Sequence, residues 1–246
     1  HKHDLVKIGK HWRTGIVGGA PVPPDLVDEV ESVFGVRLQK GYGLSETTAV
    51  VATTRRGRPY TKESVGVPMW GAEIRIVDAS MNDKAVGEAG EIVVRGPMVM
   101  RGYYGRPEAN REAFRGGWFH TGDVGMLDAD GNLHILDRIK DMIIRAGFNV
   151  YPCQVEAVLM RHPDIQQAAV VGVPDRVLGE EIRAYVVPRN GSELTTVEVI
   201  HWGREHLARY AYPRQVEFLD QLPVGPTNKI LKSELRESAL AAPLSS

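Results

Sequence analysis

Apolar and polar residues alternate along this chain in changing rhythms, and the changes mark its parts. Gly15-Ile-Val-Gly-Gly19 reads as a short strand entering a glycine turn. Pro23 and Pro24 then open a helix over residues 25–34, with Leu26, Val27, Val30, Val33 and Phe34 on one face. Gly35 stands where a C-terminal cap belongs, Val36 to Leu38 reads as a second strand, and Gly41-Tyr-Gly43 as a glycine turn. Strand, helix and strand together predict part of a parallel α/β layer over residues 1–63. Residues 53–63 (TTRRGRPYTKE) are basic and polar, and predict an exposed loop. From Ser64 the period becomes two. Ala72 to Val77 and Glu91 to Arg95 alternate, Pro107 to Phe114 is a short helix ended by Gly116-Gly117, and two runs flank Asp128-Ala-Asp-Gly-Asn132 as a hairpin. Residues 64–136 therefore predict a small antiparallel β subdomain.

Four of the five residues Asp137-Arg-Ile-Lys-Asp141 are charged, between two strand-like blocks, which predicts a hinge over 137–140. Met142 to Ile144 is β-prone and is broken by Ala146-Gly147. Pro152 starts a helix with Val155, Val158, Leu159 and Met160 inward, ending near His162-Pro163. Gln166–Val173 and Ile182–Val187 read as buried strands, and Thr195–Tyr210 as a helix containing Val199, Trp202 and Leu207. Gln215–Leu219 is a third strand, Pro223, Gly225 and Pro226 hold a loop, and a helix restarts at Ile230. Strands and helices without a glycine-rich phosphate turn predict a compact α+β domain over 141–246. The fold class is thus mixed α/β and α+β.

With 30 basic and 31 acidic residues the net charge is −1, which argues against binding nucleic acid by bulk charge. The single cysteine, Cys153, cannot form an intrachain disulfide and fits a reducing cytoplasm. No apolar run approaches the roughly 20 residues that span a bilayer. His1, His3 and His11 lack a cysteine or carboxylate cluster, so they read as surface histidines rather than a metal site. The opening HKHDLVKIGK has no initiator Met and no apolar core, and looks like the middle of a protein.

WFHTGDVG followed by LDRIKDMIIRAGFNVYP resembles the AMP-forming acyl-CoA synthetases of the adenylate-forming superfamily. VGGAP (17–21), GYGLSET (41–47) and LPVGPTNKILKSELRE (222–237) match in the same order, so the resemblance spans essentially the whole chain. It implies a nucleotide wall in which Gly18, Gly19, Ala20 and Gly43 let backbone lie against adenine and Tyr42 stacks on the base. It implies that Ser45 bonds a phosphate oxygen and that Glu46 ligates Mg²⁺. Asp123, in a tight Thr-Gly-Asp turn, would accept from both ribose hydroxyls, with Arg138 as a second ribose and phosphate contact. Lys229 would neutralise charge between the acyl carboxylate and the α-phosphate; the residue before it, often glycine in the family, is Asn228. Ala146 and Gly147 would line the pantetheine slot, while Tyr210 and Arg214 resemble positions holding the coenzyme A nucleotide.

The implied reaction joins a fatty or aryl carboxylic acid to AMP from ATP. It then passes the acyl group to coenzyme A after rotation about residues 137–140, through Asp137 and Lys140. The family's Pro-Lys-Gly phosphate loop should precede VGGAP, and residues 1–17 hold nothing like it. The chain accordingly reads as the C-terminal portion of a synthetase, itself inactive and self-associating through an uncovered α/β layer. Two other readings stay open: a binding module that keeps the fold without catalysis, and an adenylating enzyme with another acceptor, such as a carrier-protein thiol.

Overall fold

The computed structural model describes residues 11–19, 22, 24–58, 61–226 and 229–241. The chain divides into two compact units, His1–Leu136 and Asp137–Ser246.

In the first unit, β1 (Gly15–Gly18), α1 (Pro24–Phe34) and β2 (Leu38–Tyr42) form the anticipated strand–helix–strand. The strands pair in parallel, Gly15 with Leu38 through Gly18 with Gly41. This pairing corrects the expected boundaries. Gly41 and Tyr42 end the strand rather than form a turn, because the partner glycine at position 18 draws Gly41 into the ladder. β3 (Ala52–Thr53) and β4 (Val67–Pro68) extend the sheet antiparallel. Val27 of α1 is buried, but Leu26 is exposed.

A second sheet runs β5 (Glu73–Val77), β6 (Gly90–Arg95), β7 (Phe119–Leu127) and β8 (Leu133–Arg138) in order, with α2 (Pro107–Ala113) between β6 and β7. Ile76, Ile92, Val94 and Leu133 pack with Val51 and Ala52 of the first sheet's β3 region, so one core joins both sheets. Thr121-Gly-Asp123 lies inside β7, which corrects the expected tight turn. Glu91 pairs with Val124 and Val93 with His120, so β7 carries extra residues opposite Ile92. The β7–β8 connection is organised by Asp128. Its Oδ1 accepts from the backbone N–H groups of Asp130 at 3.0 Å and Asn132 at 2.8 Å, and Oδ2 lies 3.0 Å from His134 Nε2.

In the second unit, β9 (Ile143–Arg145) and β10 (Phe148–Val150) make a hairpin turned by Ala146 and Gly147, both at positive φ (50° and 81°). α3 (Pro152–Leu159), β11 (Ile165–Asp175), β12 (Gly179–Pro188), α4 (Thr196–His206), β13 (Gln215–Phe218) and α5 (Lys232–Ala241) follow. The sheet order is β10-β9-β12-β11, with β13 parallel to β12. Both faces of β11 are apolar. Ala168 and Val170 pack with α3 and α4 through Val155, Leu159 and Val199, while Ala169 and Val171 pack with Leu235 and Ala239 of α5.

Three expectations are corrected here. Met160 is exposed, one residue past the end of α3. α4 stops at His206 because Leu207 is extended (φ −124°, ψ 157°), so Leu207 and Tyr210 lie outside it. α5 starts at Lys232, since Ile230 is taken into a bridge with Val224.

Hydrogen bonds at the β7–β8 connection predict a pH dependence. Burial alone would raise the Asp128 carboxyl, but bonds from His134, Asn132 and Asp130 bring it down from 3.8 to about 2. A depressed carboxylate contributes stability above its ordinary pKa and loses it as pH falls through the folded value. Asp128→Ala should cost roughly 1–2 kcal/mol at pH 7. Urea denaturation should show the difference narrowing below pH ~4 and vanishing only below pH ~2. A constant difference would mean that Asp128 acts through packing alone.

Candidate nucleotide-binding site

The candidate residues of the first unit gather at the C-terminal end of β2 and the bulge of β7. Gly18 must be glycine, because a Cβ there would stand 2.4 Å from the Gly41 carbonyl oxygen. Gly19 follows at φ 83°, and a Cβ there would meet nothing within 4 Å, which leaves open space over the turn. Ala20 lies outside the described residues. Tyr42, at the end of β2, donates its hydroxyl to Asp123 Oδ2 at 2.6 Å. Asp123 is buried within the bulge, and its own N–H donates to Thr121 Oγ1 at 3.0 Å. Two residues that the resemblance assigns to one nucleotide, 81 positions apart, are therefore in contact.

The segment from Gly43 to Val50 folds back on itself. A Cβ on Gly43 would fall 1.8 Å from the Ala49 carbonyl oxygen. Thr48 and Ala49 are consecutive non-glycine residues at positive φ (51° and 79°), a strained arrangement that the surroundings must hold. Thr47 Oγ1 clips the start of the loop, accepting from Leu44 N at 2.9 Å, and Thr48 Oγ1 donates to the Met98 carbonyl at 2.8 Å. Ser45 and Glu46 sit in a short 3₁₀ turn at the tip, with Ser45 exposed. Glu46 Oε1 accepts from the Tyr103 hydroxyl at 2.9 Å. Burial, and then this bond to Glu46, raise the Tyr103 phenol, which keeps it a donor. Tyr103 was not among the residues singled out from sequence. Its signal was a Gly102-Tyr-Tyr-Gly105 run soon after a strand.

The remaining candidates belong to the second unit. Asp137 is buried, and its Oδ2 accepts from Cys153 N at 2.7 Å, so it caps α3 across 16 residues. Arg138 and Lys140 are exposed. Asp141 pairs with Arg236 of α5. Lys232 Nζ, also on α5, lies 2.7 Å from Glu156 Oε1, which accepts in addition from Val170 N at 2.7 Å. Burial pushes Glu156 up, while the charge of Glu156 raises Lys232 against the lowering effect of its own burial. Burial also pushes the Cys153 thiol up, so it is not a reactive thiolate.

Lys229 is exposed, and its carbonyl accepts from Gly225 N at 2.8 Å. With the Val224–Ile230 bridge this makes a closed loop ahead of α5; Asn228 lies outside the described residues. Arg145, Ala146, Phe148, Arg209, Tyr210 and Arg214 line one groove. The Tyr210 ring stacks on Phe148 with centroids 4.5 Å apart, a partner that the sequence reading missed. Arg214 donates to the carbonyls of Tyr212 (2.9 Å) and Arg209 (2.8 Å), so its guanidinium is held in place by backbone. Among the described residues no cluster of three or more His, Cys, Asp or Glu side chains could hold a metal by itself. No described helix is long and apolar enough to cross a membrane.

Comparison with known proteins decides the family. The AMP-binding enzyme model matches residues 2–104, and the AMP-binding enzyme C-terminal domain model matches residues 154–229. The chain belongs to the AMP-binding enzymes. It is 46% identical over 225 residues to a feruloyl-CoA synthase from Amycolatopsis, covering 91% of this chain and 46% of that protein. Among solved structures, ATP-bound MatB from Rhodopseudomonas palustris superposes with a TM-score of 0.88 at 29% identity, covering 97% of this chain and 53% of that one. The amide bond synthetase McbA from Marinactinospora thermotolerans gives 0.83 at 37%, covering 96% and 50%. The chain thus spans about half the length of the relatives it matches.

In this AMP-binding enzyme the two glycines of the site should differ sharply in tolerance. Gly43→Ala drives a methyl into backbone, so the Ser45–Glu46 loop must shift, at roughly 2–3 kcal/mol. Gly19→Ala meets no atom and carries only the positive-φ penalty, about 1 kcal/mol. Chemical denaturation of the two variants checks the order. Equal losses would show that the loop is not packed against Gly43.

Proposed function

We propose that the protein is an ATP-dependent acyl-CoA ligase that adenylates a carboxylic acid and transfers the acyl group to coenzyme A. The observation that carries this reading is the 2.6 Å contact between Tyr42 and Asp123, which joins two separately matched blocks into one half-site. The open space over Gly19 leaves backbone for the flat face of adenine, and Tyr42, next to Gly41 that pairs with Gly18, borders the same place. Asp123, oriented by Tyr42, accepts from the ribose hydroxyls, and Arg138 is a second ribose and phosphate contact.

Forming acyl-AMP brings a carboxylate onto the α-phosphorus while pyrophosphate leaves. Negative charge meets negative charge, so cations and in-line positioning must supply the stabilisation. Mg²⁺ fits a site with one carboxylate, Glu46, completed by the nucleotide's own phosphates, and would neutralise charge on them. Tyr103 holds one oxygen of Glu46 and fixes its direction. Ser45, exposed at the loop tip, donates to a phosphate oxygen. Lys229, exposed on its closed loop, supplies a positive charge between the acyl carboxylate and the α-phosphate.

Thioester formation then calls for a different face of the second unit, reached by rotation about Asp137–Lys140. Asp137 is tied to α3 and Asp141 to α5, so both ends of the exposed 138–140 segment are held on the second unit, and the turn falls where the chain enters it at Asp137. The Ala146-Gly147 turn passes the pantetheine arm, and the groove of Phe148, Tyr210 and Arg214 takes the nucleotide of coenzyme A. The likeness to an amide bond synthetase supports a second reading, in which an amine displaces AMP. Resemblance in the Asp137–Pro152 stretch and the feruloyl-CoA synthase relative favour the thiol.

Lys229→Ala, in the protein that carries this chain, should lower acyl-AMP formation by on the order of 10²-fold or more. Thioester formation from supplied acyl-AMP should be largely spared. Half-reaction assays with coenzyme A and with an amine acceptor would also separate the two readings. Equal loss in both half-reactions would show that Lys229 is not the adenylation cation.

A further inference from the structure

The bulge that presents Asp123 breaks the β6–β7 ladder, and side chains fill the broken positions. Thr121 Oγ1 donates to the Ile92 carbonyl at 2.7 Å, taking the place of a ladder N–H. Gly122, at φ 69°, turns its N–H out of the ladder towards Glu91 Oε1 at 3.3 Å. The other oxygen of the same carboxylate, Oε2, lies 2.8 Å from His120 Nδ1. Glu91 therefore grips the bulge at two points, His120 and Gly122, immediately before Asp123. Its side chain is only 14% exposed and that of His120 only 6%. His120 Nε2 is buried with no hydrogen-bond partner among the described residues, so the ring is oriented from its Nδ1 side, where Nδ1–H donates to Glu91.

We propose that Glu91 is a positioning residue for the nucleotide's ribose. Its carboxylate holds His120 at the edge of the 121–123 bulge and Gly122 within it, and the bulge sets the direction of the Asp123 carboxylate. The chemistry explains why one acidic residue is placed here. The bulge exposes a backbone N–H and a ring N side by side, and a carboxylate has two oxygens to satisfy both. Without it the half-buried Gly122 N–H loses its partner, and glycine offers no side chain to limit the backbone that carries Asp123. The inference rests on the reading of Asp123 as the ribose ligand.

Sugar discrimination tests it. Calorimetry would measure AMP, 2′-deoxy-AMP and 3′-deoxy-AMP on the protein and on Asp123→Ala, Glu91→Ala, Glu91→Asp and Glu91→Gln. The unsubstituted protein should prefer AMP by roughly tenfold or more, the worth of hydrogen bonds to a charged acceptor. Asp123→Ala should level the three ligands. Glu91→Ala should cut the preference to within about threefold, and Glu91→Asp, one methylene shorter, should do the same where the alanine variant fails to fold. Glu91→Gln keeps an acceptor for Gly122 and a polar group for His120, and should retain most of the preference. A merely structural Glu91 would lower stability and affinity for all three ligands together and leave their ratio unchanged. That result, with Asp123→Ala levelling the ligands, overturns the role of Glu91. Retained preference in Asp123→Ala, or none in the unsubstituted protein, overturns the ribose reading itself.

Discussion

A single hydrogen bond, from the Tyr42 hydroxyl to the Asp123 carboxylate, ties together nearly everything else in the first unit. A carboxylate that is only 4% exposed needs strong donors, and a short bond from a phenol is among the stronger available to it. For the two groups to meet, β2 must run on to Tyr42, where it pairs with Ala52 of β3, and β7 must be bulged opposite Ile92. The two sheets must also share the core around Ile92, Leu133 and Val51. Packing and polar chemistry are thus one constraint. The hydrophobic contacts fix two sheet ends within reach, and the polar pair fixes the atoms.

The second unit answers a different demand, that of keeping an exposed loop attached to a rigid body. α5 follows Lys229 directly and is fixed on both sides. Leu235 and Ala239 pack on β11 and β12, and Lys232 and Arg236 pair with Glu156 and Asp141. Tyr185 adds a hydrogen bond to the Leu235 carbonyl at 2.9 Å. A buried pair such as Glu156–Lys232 adds little net stability, but breaking it leaves a charge without compensation. Its position, three residues beyond Lys229, ties the loop to α3, the helix that Asp137 caps.

Much of this was legible in the sequence. The period-two runs gave β5 and β6, and the continuous apolar runs gave β11 and β12, each to within a few residues, because each pattern follows from whether one face or both are buried. The candidate residues came from ordered motif blocks, and the structure brings Tyr42 and Asp123 into contact. Local reading failed where long-range pairing decides. Gly41-Tyr42 read as a turn because two glycines flank a tyrosine, yet the partner strand holds them extended. Thr121-Gly-Asp123 read as a turn for its composition, and the ladder made it a bulge. Tyr103, Glu91 and Phe148 act through neighbours 57, 31 and 62 residues away, and no local pattern announces such a contact.

The central claim is that Tyr42 and Asp123 act on the nucleotide as one unit. A double-mutant cycle on AMP affinity, with Tyr42→Phe, Asp123→Asn and the pair, measures this directly. If the phenol works by orienting the carboxylate, the double variant should bind AMP no more weakly than Asp123→Asn alone. If the two losses simply add, the residues act independently, and the 2.6 Å contact does not organise the site.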